Sequence, residues 1–217
     1  MKRFIEAVIF DMDGVLVDTE PIHGRAWTQV LEQCGCTLPP GWYRDWFGAS
    51  DRLIAPVLVE KYAVSVGVEE LLKGKYSLAV HLLETESESF PGLPEALRSM
   101  DGARLAMCTS SKLEEAVIAL RRTGIISLFE VMIASDHVKQ KKPAPDAYLL
   151  AAERLNLPPH KCMVVEDTSI GIEAAKQAGM RVVAVRTSQP DRMLAQAEQI
   201  FDSTVDAIQW LKKYIHK

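Results

Sequence analysis

Long apolar runs are what the chain most clearly lacks: none approaches the roughly 18 residues needed to cross a bilayer. It also lacks a basic excess. Its 25 Lys and Arg against 29 Asp and Glu leave a net charge of -4, so there is no electrostatic footprint for nucleic acid. Cysteine is sparse: Cys34, Cys36, Cys108 and Cys162 have no zinc-ribbon spacing, and Cys108 and Cys162 fall in apolar strand-like runs. Reduced, buried thiols are therefore expected rather than disulfides, with the cytoplasm as the default compartment. There are no internal repeats and no low-complexity tract. The opening Met1-Lys2-Arg3-Phe4 leads into a strand rather than a signal-peptide apolar region. What remains is an ordinary globular composition, 48% apolar and 25% charged over 217 residues, enough for one core or a core plus an insert.

The chain turns on the stretch from Ala7 to Thr19, AVIFDMDGVLVDT. A short apolar run, Ala7 to Phe10, breaks into two carboxylates one residue apart, Asp11 and Asp13, and then Gly14. Such a run reads as a buried parallel strand entering a turn. Ligands of open α/β sheets sit at the carboxyl ends of such strands. Two anions facing one crevice there stay ionised only beside a cation, and a hard divalent ion suits carboxylate oxygens. A solvated strand end is the plain alternative.

From Pro21 to Gln33 the spacing of Ile22, Ala26, Trp27, Val30 and Leu31 predicts a helix that Gly35 ends. Helical patterns follow over Trp42 to Phe47, Leu53 to Tyr62 and Val68 to Leu83, with no convincing strand between Val17 and about Phe90. Phe90-Pro91-Gly92-Leu93-Pro94 is a rigid re-entry. Alternation then resumes. A short helix around Leu97 precedes strands at Arg104–Cys108, Val131–Ala134, Cys162–Val165 and Arg181–Val185. Helices are expected over Lys112–Arg122, from a capping Asp146 to about Leu155, over Ser169–Ala178 and over Val205–Ile215. This alternation predicts an α/β fold with a doubly wound, Rossmann-like parallel sheet, carrying a small helical domain inserted after the first strand. The boundaries are 1–17 and 88–217 for the core and 18–87 for the insert.

Four strand or loop ends carry chemistry-bearing residues: Asp11 and Asp13, Thr109 and Ser110, Lys142, and Glu166 with Asp167. Each has a dull reading. Thr109-Ser110-Ser111 could cap a helix, Lys141-Lys142 could be solvated, and Glu166-Asp167 could cap the helix beginning near Ser169 and favour its dipole. Together they place a carboxylate pair, a hydroxyl, a cation and a second acidic pair along one sheet edge, the parts of a phosphoryl-transfer site.

The segments DMDGVLVDT, CTSS, KKPAPD and VVEDTSIGIEAA, in that order, resemble the four motifs of the haloacid dehalogenase superfamily, in its phosphatase and β-phosphoglucomutase-like branch. The resemblance spans essentially the whole chain, and the helical block then resembles that family's cap. It implies Asp11 as a nucleophile forming an aspartyl phosphate and Asp13 as general acid and then base. It implies Thr109 as a donor to the phosphoryl oxygens, and Lys142 neutralising Asp11 and the phosphate. Magnesium would be held by Asp11, the Asp13 backbone carbonyl and Asp167, with Glu166 direct or through water. Thr168 stands where many relatives have Ser.

Substrate-binding candidates are Ser110, Ser111, Lys112, His23, Arg52 and Lys75. His23 matches a His that mutase relatives carry after the first motif, and it could hold back Asp13 until substrate arrives. Where sugar-bisphosphate relatives grip the distal phosphate with Arg after a Gly-x-Ser turn, Gly48-Ala49-Ser50 is followed by Asp51, with Arg52 one place later. A carboxylate there would repel a second phosphate. Ser111 and Lys112 match phosphate-gripping residues of the mutases, and Lys75 is expected to face the site from the cap. The expected enzyme is a magnesium-dependent phosphatase of a small phosphorylated metabolite, a sugar or polyol phosphate. The chain is expected to be a monomer with no nucleic-acid or membrane partner. A β-phosphoglucomutase-like isomerase is the alternative. A receiver-type signalling module is a third reading, but such modules are shorter, place the acceptor Asp after a later strand and lack the helical insert.

Overall fold

The structure, a computed structural model, describes residues 5–215; the expectation drawn from Met1 to Phe4 lies outside them. Among these residues six strands form one parallel sheet: β1 (Ala7–Asp11), β2 (Arg104–Cys108), β3 (Val131–Ile133), β4 (Cys162–Glu166), β5 (Arg181–Val185) and β6 (Ile200–Phe201). Their spatial order is β3-β2-β1-β4-β5-β6, with Asp11 beside Cys108 and Phe10 beside Val165 in register. The order is that of a doubly wound sheet, and its direction reverses between β1 and β4.

The strands are apolar because both faces are covered. Val8 and Phe10 of β1, with Met107, Val165 and Val183, pack against one helical layer. Their alternates Ala7 and Ile9, with Ala106, Val164 and Val182, pack against the other. Full burial of each larger side chain contributes about 1.5–3 kcal/mol. The covering helices are α4 (Leu93–Arg98), α5 (Leu113–Arg122), α6 (Asp146–Arg154), α7 (Ser169–Gln177), α8 (Asp191–Leu194) and α9 (Thr204–Leu211).

Between β1 and β2 the chain is helical: α1 (Glu20–Gln33), α2 (Asp51–Tyr62) and α3 (Val68–Glu86), with a 3-10 turn over Trp42–Trp46. These elements bury an apolar cluster of their own around Trp27, Leu31, Ile54, Leu58 and Leu71. The two crossings of the chain lie side by side, joined by an antiparallel bridge between Val17 and Ser89.

Several local expectations need correction. Asp146 does not cap α6 but is its first residue, with Pro145 at the cap position; its charge still faces the positive helix end. Thr168, not the acidic pair before it, caps α7 by accepting the Gly171 N–H. The last helix stops at Leu211. β6 and α8 escaped the sequence because two and four residues are too few to show a period.

Candidate active site

Asp11 is the last residue of β1 and Glu166 the last of β4, so both emerge where the sheet reverses direction. Lys142, from the loop before α6, reaches between them: its Nζ lies 2.5 Å from Asp11 Oδ1 and 2.6 Å from Glu166 Oε1. Tyr148 of α6 donates its hydroxyl to the same Glu166 oxygen at 2.8 Å. The other oxygen, Oε2, accepts the backbone N–H of Asp167 and of Thr168 and the Thr168 hydroxyl at 3.0, 3.1 and 2.9 Å. Both Glu166 oxygens are thus saturated with donors, which fits an anchor for Lys142 better than a free metal ligand.

Two buried carboxylates, Asp11 and Glu166, share the Lys142 ammonium here, and Asp167 is a third beside them. Burial drives Asp11 well above the ordinary carboxylate range, Lys142 pulling it down and Glu166 pushing it up. Burial, then repulsion from Glu166 and Asp11, does the same to Asp167. Burial also works against Glu166, but Lys142 and its hydrogen bonds hold that group low. Ligand oxygens of Asp11, Glu166 and Asp167 lie within 4.8 Å of one another, and Asp167 Oδ1 is buried without a hydrogen-bond partner while Ser188 donates to its Oδ2. An all-oxygen cluster with a surplus of negative charge and an orphaned carboxylate oxygen fits a hard divalent cation. Gly14 makes room for the Asp167 carboxylate. It has φ of 78°, and a Cβ there would stand 2.0 Å from Asp167 Oδ2, so only glycine fits this approach.

Asp13 is held separately. Its Oδ1 accepts the Thr19 hydroxyl and faces His23 Nε2 at 3.4 Å. Its Oδ2 accepts the hydroxyls of Thr109 and Ser111 at 2.8 and 3.1 Å. Burial opposes ionisation, but the hydrogen bond and charge of His23 and the hydroxyls more than offset it, leaving Asp13 well below the ordinary range. Thr109, expected to serve phosphoryl oxygens, points its hydroxyl at Asp13 instead, because an ionised carboxylate is the strongest acceptor within its reach.

These residues open into a cavity of about 380 Å³ between the sheet edge and the helical segment. Asp11, Asp13, Lys142, Ser110, Ser111, Lys112, His23, Arg52 and Lys75 all line it, whereas Thr109, Glu166 and Asp167 lie behind its wall. Lys75 of α3 is buried, 3.0 Å from His23 Nδ1, 2.6 Å from Asp51 Oδ2 and 3.7 Å from Glu115 Oε1 of α5. The Asp51 carboxylate is also fixed by the Trp27 indole N–H at 3.1 Å. Arg52 is exposed and paired with Glu69 at 3.0 Å, at the rim of the cavity. Lys112 stacks its ammonium 3.6 Å from the centre of the Tyr76 ring.

The sequence did not single out Glu20, Glu115, Tyr148 or Thr19. Thr19 closes the first motif and Glu20 directly follows it, the one signal that could have found them. Glu20 is buried, and its Oε1 accepts the Gly48 N–H at 2.9 Å. Burial, with the Asp13 charge added, pushes its carboxyl from 4.5 up to about 7. Between these values the folded protein keeps a proton that the unfolded chain releases. Stability therefore falls as pH rises through that window, by about 3 kcal/mol in all. Glu20→Gln is expected to melt higher than wild type at pH 8 and to lose that advantage near pH 4.5. A melting difference independent of pH would show that Glu20 ionises normally.

A family model for the haloacid dehalogenase-like hydrolases matches residues 5–179. A phosphorylated carbohydrates phosphatase of Thermotoga maritima is 39% identical over 178 residues, 81% of this chain and 82% of that protein. The fructose-1-phosphate phosphatase YqaB of Escherichia coli is 36% identical over 180 residues, 82% of this chain and 95% of its own length. Among solved structures, a β-phosphoglucomutase of Clostridium difficile superposes with a TM-score of 0.82 at 26% identity, covering 96% of this chain and 97% of that one. The chain belongs to the haloacid dehalogenase-like hydrolase family, in its branch of phosphatases and β-phosphoglucomutase-like proteins, and is a phosphoric monoester hydrolase of that family.

Proposed function

We propose that this enzyme is a magnesium-dependent phosphatase of a small sugar or polyol phosphate that works through an aspartyl phosphate on Asp11. One observation carries the reading. At the sheet's reversal point Asp11 is clamped by Lys142, while Asp13 is held apart from it by a different set of donors. Two carboxylates in contrasting environments suit a nucleophile and a proton carrier.

In the first step an Asp11 oxygen attacks phosphorus and the bond to the ester oxygen breaks. Asp13 gives its proton to that leaving oxygen. In the second step Asp13 takes a proton from water, whose oxygen attacks the phosphorus, and phosphate departs with the Asp11 carboxylate restored. Lys142 offsets the charge that builds between Asp11 and the phosphoryl oxygens. An arriving phosphoryl group would draw the Thr109 and Ser111 hydroxyls away from Asp13. With those donors gone, the ionised form of Asp13 loses support and its carboxyl rises toward the range of a general acid. Until then His23 and Thr19 keep Asp13 ionised. Asp11, the Asp13 backbone carbonyl and Asp167 would hold magnesium, with Glu166 fixing Lys142. Bound there, the ion supplies positive charge to the phosphoryl oxygens.

The helical segment 18–87 acts in this reading as a cap, joined to the core by Lys75 with Glu115 and by the Tyr76 hydroxyl with Glu114. A cytoplasmic setting with reduced thiols and a monomeric chain belongs to the same proposal. Among the described residues no helix is long and apolar enough to cross a membrane.

The isomerase reading draws on His23 beside Asp13 and on the β-phosphoglucomutase neighbour. Against it, the place where bisphosphate-binding relatives resemble one another by an Arg holds Asp51, and Asp51 occupies Lys75. Phosphorus NMR with magnesium and a panel of sugar phosphates tests both, including β-glucose 1-phosphate with a trace of its 1,6-bisphosphate. Growth of inorganic phosphate is expected. Glucose 6-phosphate appearing without free phosphate would make the isomerase the answer.

A further inference from the structure

We propose that Ser188 is a positioning residue for the metal site: its hydroxyl fixes the Asp167 carboxylate and so sets how tightly magnesium is held. The inference rests on the magnesium reading of the acidic cluster. Ser188 belongs to none of the four motifs and lies in the loop that follows β5. Because β5 pairs with β4, with Glu166 beside Ala184, that loop rises next to Asp167.

Two groups close on one carboxylate oxygen. Ser188 donates its hydroxyl to Asp167 Oδ2. Gly14 packs against both residues: a Cβ there would stand 2.0 Å from Asp167 Oδ2 and 2.8 Å from Ser188 Oγ. A donor and a stretch of backbone thus hold Oδ2, and the carboxylate has little room to turn about its Cβ–Cγ bond. Oδ1 makes no hydrogen bond. Asp167 lies behind the cavity wall, but Asp11 lines the cavity, and ligand oxygens of the two are within 4.8 Å. An ion seated beside Asp11 is therefore within reach of Asp167, although Asp167 is not open to the cavity.

The loop that carries Ser188 is itself anchored. Arg186 pairs with Asp191 at 3.0 and 3.2 Å and with Asp202 after β6. Gln189 Oε1 accepts the Ser169 N–H at 2.7 Å, which ties the loop to the start of α7, two residues beyond Asp167. The chemistry of the donor matters as much as its place. A lysine or arginine here would neutralise Asp167, as Lys142 does Glu166. A hydroxyl orients the carboxylate and leaves its charge to the ion. Groups that orient metal ligands from behind are worth about 10- to 100-fold in metal affinity.

Calorimetric titration of magnesium into the metal-free protein, without substrate, reads that affinity directly. Ser188→Ala is expected to weaken magnesium binding by about 10- to 100-fold, and Ser188→Thr, which keeps the hydroxyl, to restore most of it. Half-maximal turnover of p-nitrophenyl phosphate should move to higher magnesium in Ser188→Ala by the same factor. Wild-type magnesium affinity in Ser188→Ala overturns the inference and leaves the phosphatase standing. An equal loss in Ser188→Thr also overturns it, because the effect then belongs to loop packing rather than to the hydroxyl. Wild type that takes up no magnesium and turns over unchanged in a chelator would overturn the magnesium reading as well. If circular dichroism shows Ser188→Ala misfolded, Ser188→Cys decides, since a thiol keeps the shape and is a weak donor. Wild-type affinity in that variant counts against the proposal.

Discussion

Asp11→Asn is expected to lower turnover by roughly 10⁴-fold or more, the scale seen when a covalent nucleophile is removed, with the fold intact. An amide oxygen is a far weaker nucleophile than a carboxylate, and the neighbouring carboxylates are engaged by other donors or, like Asp167, lie behind the cavity wall. Asp13 is tied to Thr19, Thr109 and Ser111, and Glu166 is saturated by its own donors. Stability should move the other way. Asp11 is one of three clustered buried carboxylates, two of which pair with Lys142, and burial raises its pKa well above the ordinary value. Its ionisation therefore destabilises the folded state above the ordinary carboxylate pKa, and the neutral amide removes that cost. The variant should melt at or above the wild-type temperature at neutral pH without divalent cations. Lys142 keeps Glu166 as partner at 2.6 Å, so no buried charge is abandoned. Stopped assays with a phosphate monoester, beside thermal melts, read both quantities. Turnover within tenfold of wild type would remove Asp11 from the chemistry.

Asp13→Ala is expected to slow both chemical steps, by roughly the 10²–10⁴-fold typical of general acid–base groups. Unlike the first variant, it should also destabilise the protein. Asp13 accepts three hydroxyl hydrogen bonds and faces His23, and each buried donor left alone costs about 1–3 kcal/mol. The pH dependence has a definite sign. Because the folded pKa of Asp13 is depressed, the stability it adds is fully present above its unfolded value, near 4, and is lost as pH falls through the folded value. Asp13→Asn separates the two roles. It keeps an acceptor for the hydroxyls but carries no transferable proton, so its rate should fall like that of Asp13→Ala while its melting temperature stays nearer wild type. A leaving group that needs no protonation, such as p-nitrophenolate, should be spared in the first step. An unchanged rate with an alkyl phosphate in both variants would assign the proton to another group.

The alternation of short apolar runs with helical patterns was enough to predict the doubly wound sheet, because strands covered on both faces must be apolar throughout. Val8 and Phe10 serve one layer and Ala7 and Ile9 the other. The motif residues were legible for a related reason: Asp11, Lys142, Glu166 and Asp167 stand at strand and loop ends, where local spacing marks the turn. Glu20 and Glu115 were not legible. Each looks like an ordinary acidic residue in the first turn of a helix, the place where a solvated carboxylate complements the dipole. Lys75 was placed toward the site, but nothing local indicated that Asp51 and Glu115 would surround it.

Sequence by itself therefore determined the fold class, the order of the motifs and the chemical types at the sheet edge, since these depend on periodicity and on residues near one another in the chain. Tertiary structure alone decided that Thr109 and Ser111 face Asp13, that Glu166 is saturated, and that Glu20 is buried against the Gly48 turn. Those outcomes depend on burial and on partners up to 98 residues apart, and desolvation acts on distance in space rather than along the chain.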